Sequence, residues 1–115
     1  MRTWREFRIS REGRRGFLLI LPVFEDTDAP EDAARMNRFY RTASEDLYGA
    51  ALDAVGGGAR RIFYRCDTDV EETEEGTRVT LSLSLSASGE RTKRKTITHL
   101  WRDGVILSRE ASPIL

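Results

Sequence analysis

Residues 78 to 88 read Arg-Val-Thr-Leu-Ser-Leu-Ser-Leu-Ser-Ala-Ser, with Val79, Leu81, Leu83, Leu85 and Ala87 on one side and Thr80, Ser82, Ser84, Ser86 and Ser88 on the other. Side chains of an extended strand point alternately to opposite faces, so this segment has one face to bury and one face of small hydroxyls for water. A helix would scatter the same apolar residues around its circumference. The chain is therefore committed to a sheet covered on one side, and another element must supply the cover.

The cover is legible upstream. Asp28 is a good N-cap, Pro30 is tolerated in a first turn where its missing N–H costs nothing, and Glu31 closes a capping box. Met36, Phe39, Tyr40, Ala43, Leu47, Ala51 and Val55 then recur at three- and four-residue steps and define one apolar stripe. The spacing predicts one helix of about 27 residues, roughly 40 Å long at 1.5 Å per residue. Gly56, Gly57 and Gly58 end it. Those glycines follow a helix instead of preceding one, which argues against a phosphate-cradling loop.

The remaining segments read as strands. Thr3–Ser10 alternates, with Phe7 and Ile9 opposite Trp4, Glu6 and Arg8; Phe17–Phe24 is apolar throughout and should lie inside the sheet or under a partner surface. The polar turn between them predicts an antiparallel hairpin. A strand from Arg61 to about Val70 puts Ile62, Tyr64, Cys66 and Val70 on one face, and an acidic turn, Glu71 to Gly76, follows it. Arg91–Arg102 places Ile97, His99 and Trp101 together, and Asp103-Gly104 is the strongest hairpin signal in the chain, leading into Val105, Ile106 and Leu107. The expected fold is α+β: one long helix packed on a curved antiparallel sheet of about five or six strands, in the order ββαββββ.

At 115 residues this is one domain, residues 1–115. Its 19 basic and 19 acidic residues cancel, which excludes a globally attractive nucleic-acid binder. The charges nevertheless come in blocks: basic at Arg2 to Arg15, acidic at Glu25 to Asp32 and Asp67 to Glu75, basic again at Arg91 to Lys95. Such alternation suits neighbouring strands that neutralise one another. The apolar run Phe17–Phe24 is too short for a membrane span, and no small-residue cleavage site follows it, so we expect an intact protein away from the membrane. Cys66 is the only cysteine. A lone thiol fits a reducing cytoplasm.

Few chemistries have their parts here. A Cys66/His99 pair is geometrically conceivable, but a lone buried cysteine is more often an inert core residue. The single histidine has no ligand at metal spacing, and Asp67, Asp69 and Glu71 lack the glycine and distant glutamate of a calcium loop, so neither a metal nor a cofactor is expected. Arg91, Lys93, Arg94 and Lys95, with Trp101 further along, are the candidate anion surface and would make the chain a weak nucleic-acid binder, although the acidic turn nearby would repel phosphate. A pocket lined by Tyr64, Cys66, His99 and Trp101 would indicate a small-ligand or enzymatic domain of the cone-shaped, cystatin-like kind. Association, with itself or with another protein, is the leading expectation. Trp4, Phe24, Tyr40, Tyr48 and the apolar second strand offer more apolar surface than one helix covers.

Leu21-Pro22-Val23-Phe24, then Met36-Asn37-Arg38-Phe39-Tyr40 in the helix, the Ser-rich Leu81–Ser88 and Thr98-His99-Leu100-Trp101 together resemble a bacterial domain of unknown function. That domain is found in polysaccharide deacetylases and lysozyme-sensing anti-sigma factors, and the chain looks especially like its short, uncharacterised clostridial relatives. The resemblance spans most of residues 17–109 and implies the same helix-on-sheet fold. The Gly-Gly-Ala-His signature of the sensing and deacetylase-linked members is missing: only Ser88, Gly89 and Glu90 stand between the late strands. The resemblance therefore transfers no catalytic residue.

Overall fold

The computed structural model describes residues 1–55, 61–89 and 91–114. The elements are β1 (Arg2–Glu12), β2 (Arg15–Glu25), α1 (Pro30–Val55), β3 (Ile62–Thr73), β4 (Gly76–Ala87), β5 (Lys93–Arg102) and β6 (Val105–Ile114). The strands form one open six-stranded sheet in chain order, β1-β2-β3-β4-β5-β6. The molecule measures 49 × 26 × 17 Å. Its thickness accommodates one sheet and one helix, since a second packed sheet would add roughly 10 Å.

The expectation of an antiparallel sheet needs one correction. Every neighbouring pair is antiparallel except β2 and β3, which run parallel from Arg15↔Ile62 to Leu19↔Cys66. The helix causes this: it carries the chain back along the sheet, so β3 starts at the same end as β2 and runs the same way. After Leu19 the two strands part. Pro22 lies beyond that point, where its missing N–H removes no bond to β3.

The parting exposes backbone on β2, and α1 supplies the replacement. The Phe24 N–H donates to Asn37 Oδ1 at 2.8 Å, and Asn37 Nδ2–H donates to the Phe24 carbonyl at 2.9 Å. One side-chain amide thus does what a paired strand would do, and it docks the first half of the helix onto the sheet.

Asp26, and not Asp28, organises the turn into the helix, whose first bond runs from the Ala33 N–H to the Ala29 carbonyl. Asp26 Oδ1 accepts from the Asp28 and Ala29 N–H groups at 3.0 and 3.3 Å. Pro30 is the first helical residue, one position later than a cap at Asp28 would place the start, and it lies in the first turn as expected. The buried stripe runs through Ala33, Met36, Tyr40 and Ser44, with Phe39, Leu47 and Tyr48 packed at its margin. Ser44 takes a core position because its hydroxyl donates to the Arg41 carbonyl at 2.9 Å. The Gly56–Gly58 stop, Glu90 and the side chains of Ala51 and Val55 lie outside the described residues.

Two-residue connections join β1 to β2, β3 to β4 and β5 to β6. Asp103 and Gly104 both take positive φ, 54° and 73°, as the Asp-Gly signal predicts. Gly76 has φ 147°, and a Cβ there would drive into the Trp101 carbonyl oxygen. β6 is longer than the Val105–Leu107 expected and includes a register shift opposite Leu100/Trp101.

Candidate functional site

The sheet has two unlike faces. Val79, Leu81, Leu83 and Leu85 of β4 turn to the helix and are buried, as the alternation requires. They join Leu19 and Leu21 of β2, Tyr64 and Cys66 of β3 and Ile97 and Trp101 of β5 in one core. The opposite face has no element over it among the described residues. Its β4 row, Thr80, Ser82, Ser84 and Ser86, is partly or fully exposed.

The four residues expected to line a pocket are core residues instead. Tyr64, Cys66, His99 and Trp101 are each at most 4% exposed. They also fall into two groups. Cys66 pairs with Leu83 of β4, whereas His99 pairs with Val79 of the same strand, so a full strand and four positions of register separate thiol and imidazole. Burial, then the neighbouring Asp67 carboxylate, pushes the Cys66 thiol up to about 12. No Cys/His nucleophile exists in this geometry.

His99 and Trp101 belong to a buried polar network with the helix. Trp101 Nε1–H donates to the Tyr40 hydroxyl at 2.7 Å, and that hydroxyl lies 3.1 Å from His99 Nδ1. With the ring proton of a neutral imidazole on Nε2, the phenol accepts from tryptophan and donates to Nδ1. Burial, then Arg109 opposite it on β6, lowers the His99 pKa; burial raises that of Tyr40 far above the ordinary phenol range. Phe39 closes the cluster, with T-shaped contacts to Tyr40, His99 and Trp101 at 5.1 to 5.2 Å. The network is a structural joint between α1 and β5. At the other end of the core, Tyr64 packs on Tyr48, and the Tyr64 and Thr68 hydroxyls are buried without a hydrogen-bond partner among the described residues.

The basic cluster does not form a single patch. Lys93 and Lys95 pair with Leu85 and Leu83 and lie on the helix side of β5; Arg94 pairs with Ser84 on the other side, and Arg91 precedes the strand. No group of three or more metal-binding side chains occurs among the described residues. No described helix is long and apolar enough to cross a membrane.

Exposed apolar residues occur at both edges of the sheet, Val105 and Leu107 on β6 and a larger group at the β1 end. Along β1, every residue from Arg2 to Arg11 is exposed, Trp4 at 41%, Phe7 at 63% and Ile9 at 76%. Phe7 and Ile9 pair with Ile20 and Leu18, so they face away from the helix. Phe63 of β3, 47% exposed, extends this corner across Gly16. Ile9, Leu18 and Phe63 floor an open groove of about 540 Å³ edged by Arg11, Arg14 and Arg61.

Of the apolar residues that suggested association, only Trp4 is exposed; Phe24 and Tyr40 are buried and Tyr48 packs on the core. Phe7, Ile9 and Phe63 form the surface in their place. Phe63 was detectable, because it shares the polar side of its strand with Arg61 and Arg65.

The charge blocks meet in Arg5–Asp69, whereas Arg8 and Glu71 pair with Glu45 and Arg78, which lie outside the blocks. Arg5–Asp69 at 3.9 Å, Arg8–Glu45 at 4.0 Å and Arg78–Glu71 at 3.6 Å are exposed pairs worth about 0–1 kcal/mol each. No protein-family model matches the chain, and no curated protein or solved structure matches it.

Proposed function

We propose that the chain is a non-enzymatic protein-association module whose working surface is β1 with the adjoining apolar corner of the uncovered face. One observation carries this reading: an edge strand of 11 residues displays Trp4, Phe7 and Ile9 to solvent, beside the exposed Phe63. Monomers seldom leave a long edge and an apolar patch together. The core supports the same reading, because Tyr64, Cys66, His99 and Trp101 are spent on packing. A reducing, cytoplasmic setting is part of the proposal, supported by the lone buried thiol.

Small-ligand binding is the second reading, favoured by the groove edged by Arg11, Arg14 and Arg61, which suits an anion with an apolar body. We also propose that the chain is related to the clostridial domains it resembles. The element order supports this, as does the pairing of Asn37 with the Pro-containing strand.

Light scattering over a concentration series, with a thermal-shift screen of metabolites and ions, separates the two functions. Association predicts a mass that rises above 13.1 kDa with concentration and falls when Phe7 is replaced by Ser. A strict monomer whose melting temperature rises with a small anion overturns it.

A further inference from the structure

From the charge pattern of β1 we infer that the partner is a second copy of this chain, paired edge to edge and antiparallel through β1, with Phe7 opposite Phe7 on the two-fold axis. The inference rests on the association reading and deepens it. β1 is an unobstructed edge: it pairs with β2 without a bulge from Arg2↔Glu25 to Glu12↔Arg15, and it contains no Pro or Gly. The other edge, β6, contains Pro113 and a register shift in its pairing with β5, features that discourage strand addition.

A two-fold axis that pairs two strands antiparallel stands perpendicular to the sheet and keeps both helices on one side. Odd-numbered residues, which face away from the helix, must then oppose odd-numbered ones. This leaves a short series of registers, and charge selects among them. Centred on Phe7, Glu6 faces Arg8 of the second copy, Arg8 faces its Glu6, and position 2, an arginine, faces position 12, a glutamate. Ile9 meets the stem of Arg5, Trp4 meets Ser10, and Thr3 meets Arg11. No like charges are opposed.

Every neighbouring register fails this criterion. Sliding two residues one way opposes Glu6 with Glu6; two the other way opposes Arg8 with Arg8 and Arg5 with Arg11. Sliding four residues opposes Arg5 with Arg5 and Arg2 with Arg8, or else Glu6 with Glu12. Like charges directly opposite one another destabilise a strand pair. The favoured register is also the one that pairs the whole strand, and it merges the two Phe7–Ile9 corners into one apolar band across the axis.

Single-cysteine variants and a charge swap test the register. Cys66 is fully buried and does not compete for oxidation. Phe7→Cys should form a disulfide-linked dimer under mild oxidation, whereas Ile9→Cys, opposite Arg5, should not. Arg8→Glu and Glu6→Arg should each weaken dimerisation by roughly tenfold or more, because each substitution creates two like-charge contacts. The double variant Glu6→Arg/Arg8→Glu should restore it to within about threefold. Melting temperatures of the variants account for the Arg8–Glu45 pair within the chain. A dimer that crosslinks equally well at position 9, or that the double swap does not restore, overturns this register and leaves association standing. A protein that is monomeric throughout overturns self-pairing, and association is then decided by the ligand screen.

Discussion

The two faces of this sheet use the same kinds of residue for opposite ends. Under the helix, Tyr40, His99 and Trp101 are at most 4% exposed and satisfy one another's polar atoms. On the other face, Phe7, Ile9 and Phe63 are 47 to 76% exposed, among threonines, serines and charged residues. An aromatic side chain stabilises a fold only in proportion to the water it loses, so the first group holds the domain together and the second is free to act on something else.

The sharpest way to break the comparison is to delete equivalent rings from both faces. Trp101→Ala should cost about 3–5 kcal/mol, through lost burial and the loss of the indole N–H bond to the Tyr40 hydroxyl, whereas Phe63→Ala should cost less than about 1 kcal/mol. Urea unfolding of the two variants checks this, and equal losses would mean that the open face is structural.

Next in size is the clamp between helix and β2. Asn37→Leu leaves both the N–H and the carbonyl of Phe24 unpaired, at an expected cost of about 2–3 kcal/mol by the same measurement. Two tyrosines then separate a satisfied hydroxyl from an unsatisfied one. Tyr40→Phe should destabilise by about 1–2 kcal/mol, and Tyr64→Phe should be neutral or stabilising, because its hydroxyl has no partner to lose.

His99 makes the covered face sensitive to pH. Its folded pKa lies below the ordinary value, first through burial and then through Arg109; Tyr40 faces it from the helix. The unfolded chain takes up a proton near pH 6.5, where the folded chain does not. Stability is therefore full above about pH 6.5 and falls as the pH drops toward the folded-state value. Urea midpoints between pH 7.5 and 5 should show that decline, and His99→Gln should flatten it. The smallest expected effect is on the open face, where Ile9→Thr should shift stability by no more than about 0.5 kcal/mol while still weakening self-association.

Local signals were reliable wherever the chain decides its own conformation. Asp103-Gly104 specifies its turn because few other residues accept positive φ at both positions, and Pro30 marks the helix start because it needs no N–H donor there. Choices that depend on what comes near were not legible. Asp28 has the residue type and spacing of a cap, and only the path of the chain between β2 and α1 gives the N–H bonds of the turn to Asp26 instead. Ser44 reads as polar surface until its i−3 hydroxyl bond permits burial. Cys66 and His99 share a face in the sequence pattern, and only the strand pairings show how far apart they lie.

By itself the sequence determined that one face of a sheet is buried under one long helix, because residue alternation and helical periodicity are properties of single elements. Only the tertiary structure decided that β2 and β3 run parallel, that the apolar side of β1 turns away from the helix, and that Asn37 completes the edge of β2. A strand pattern states that its two sides differ or, in β2, that both are apolar. Which side meets the helix, and which neighbour takes its backbone bonds, is settled when distant segments compete for the same covered surface.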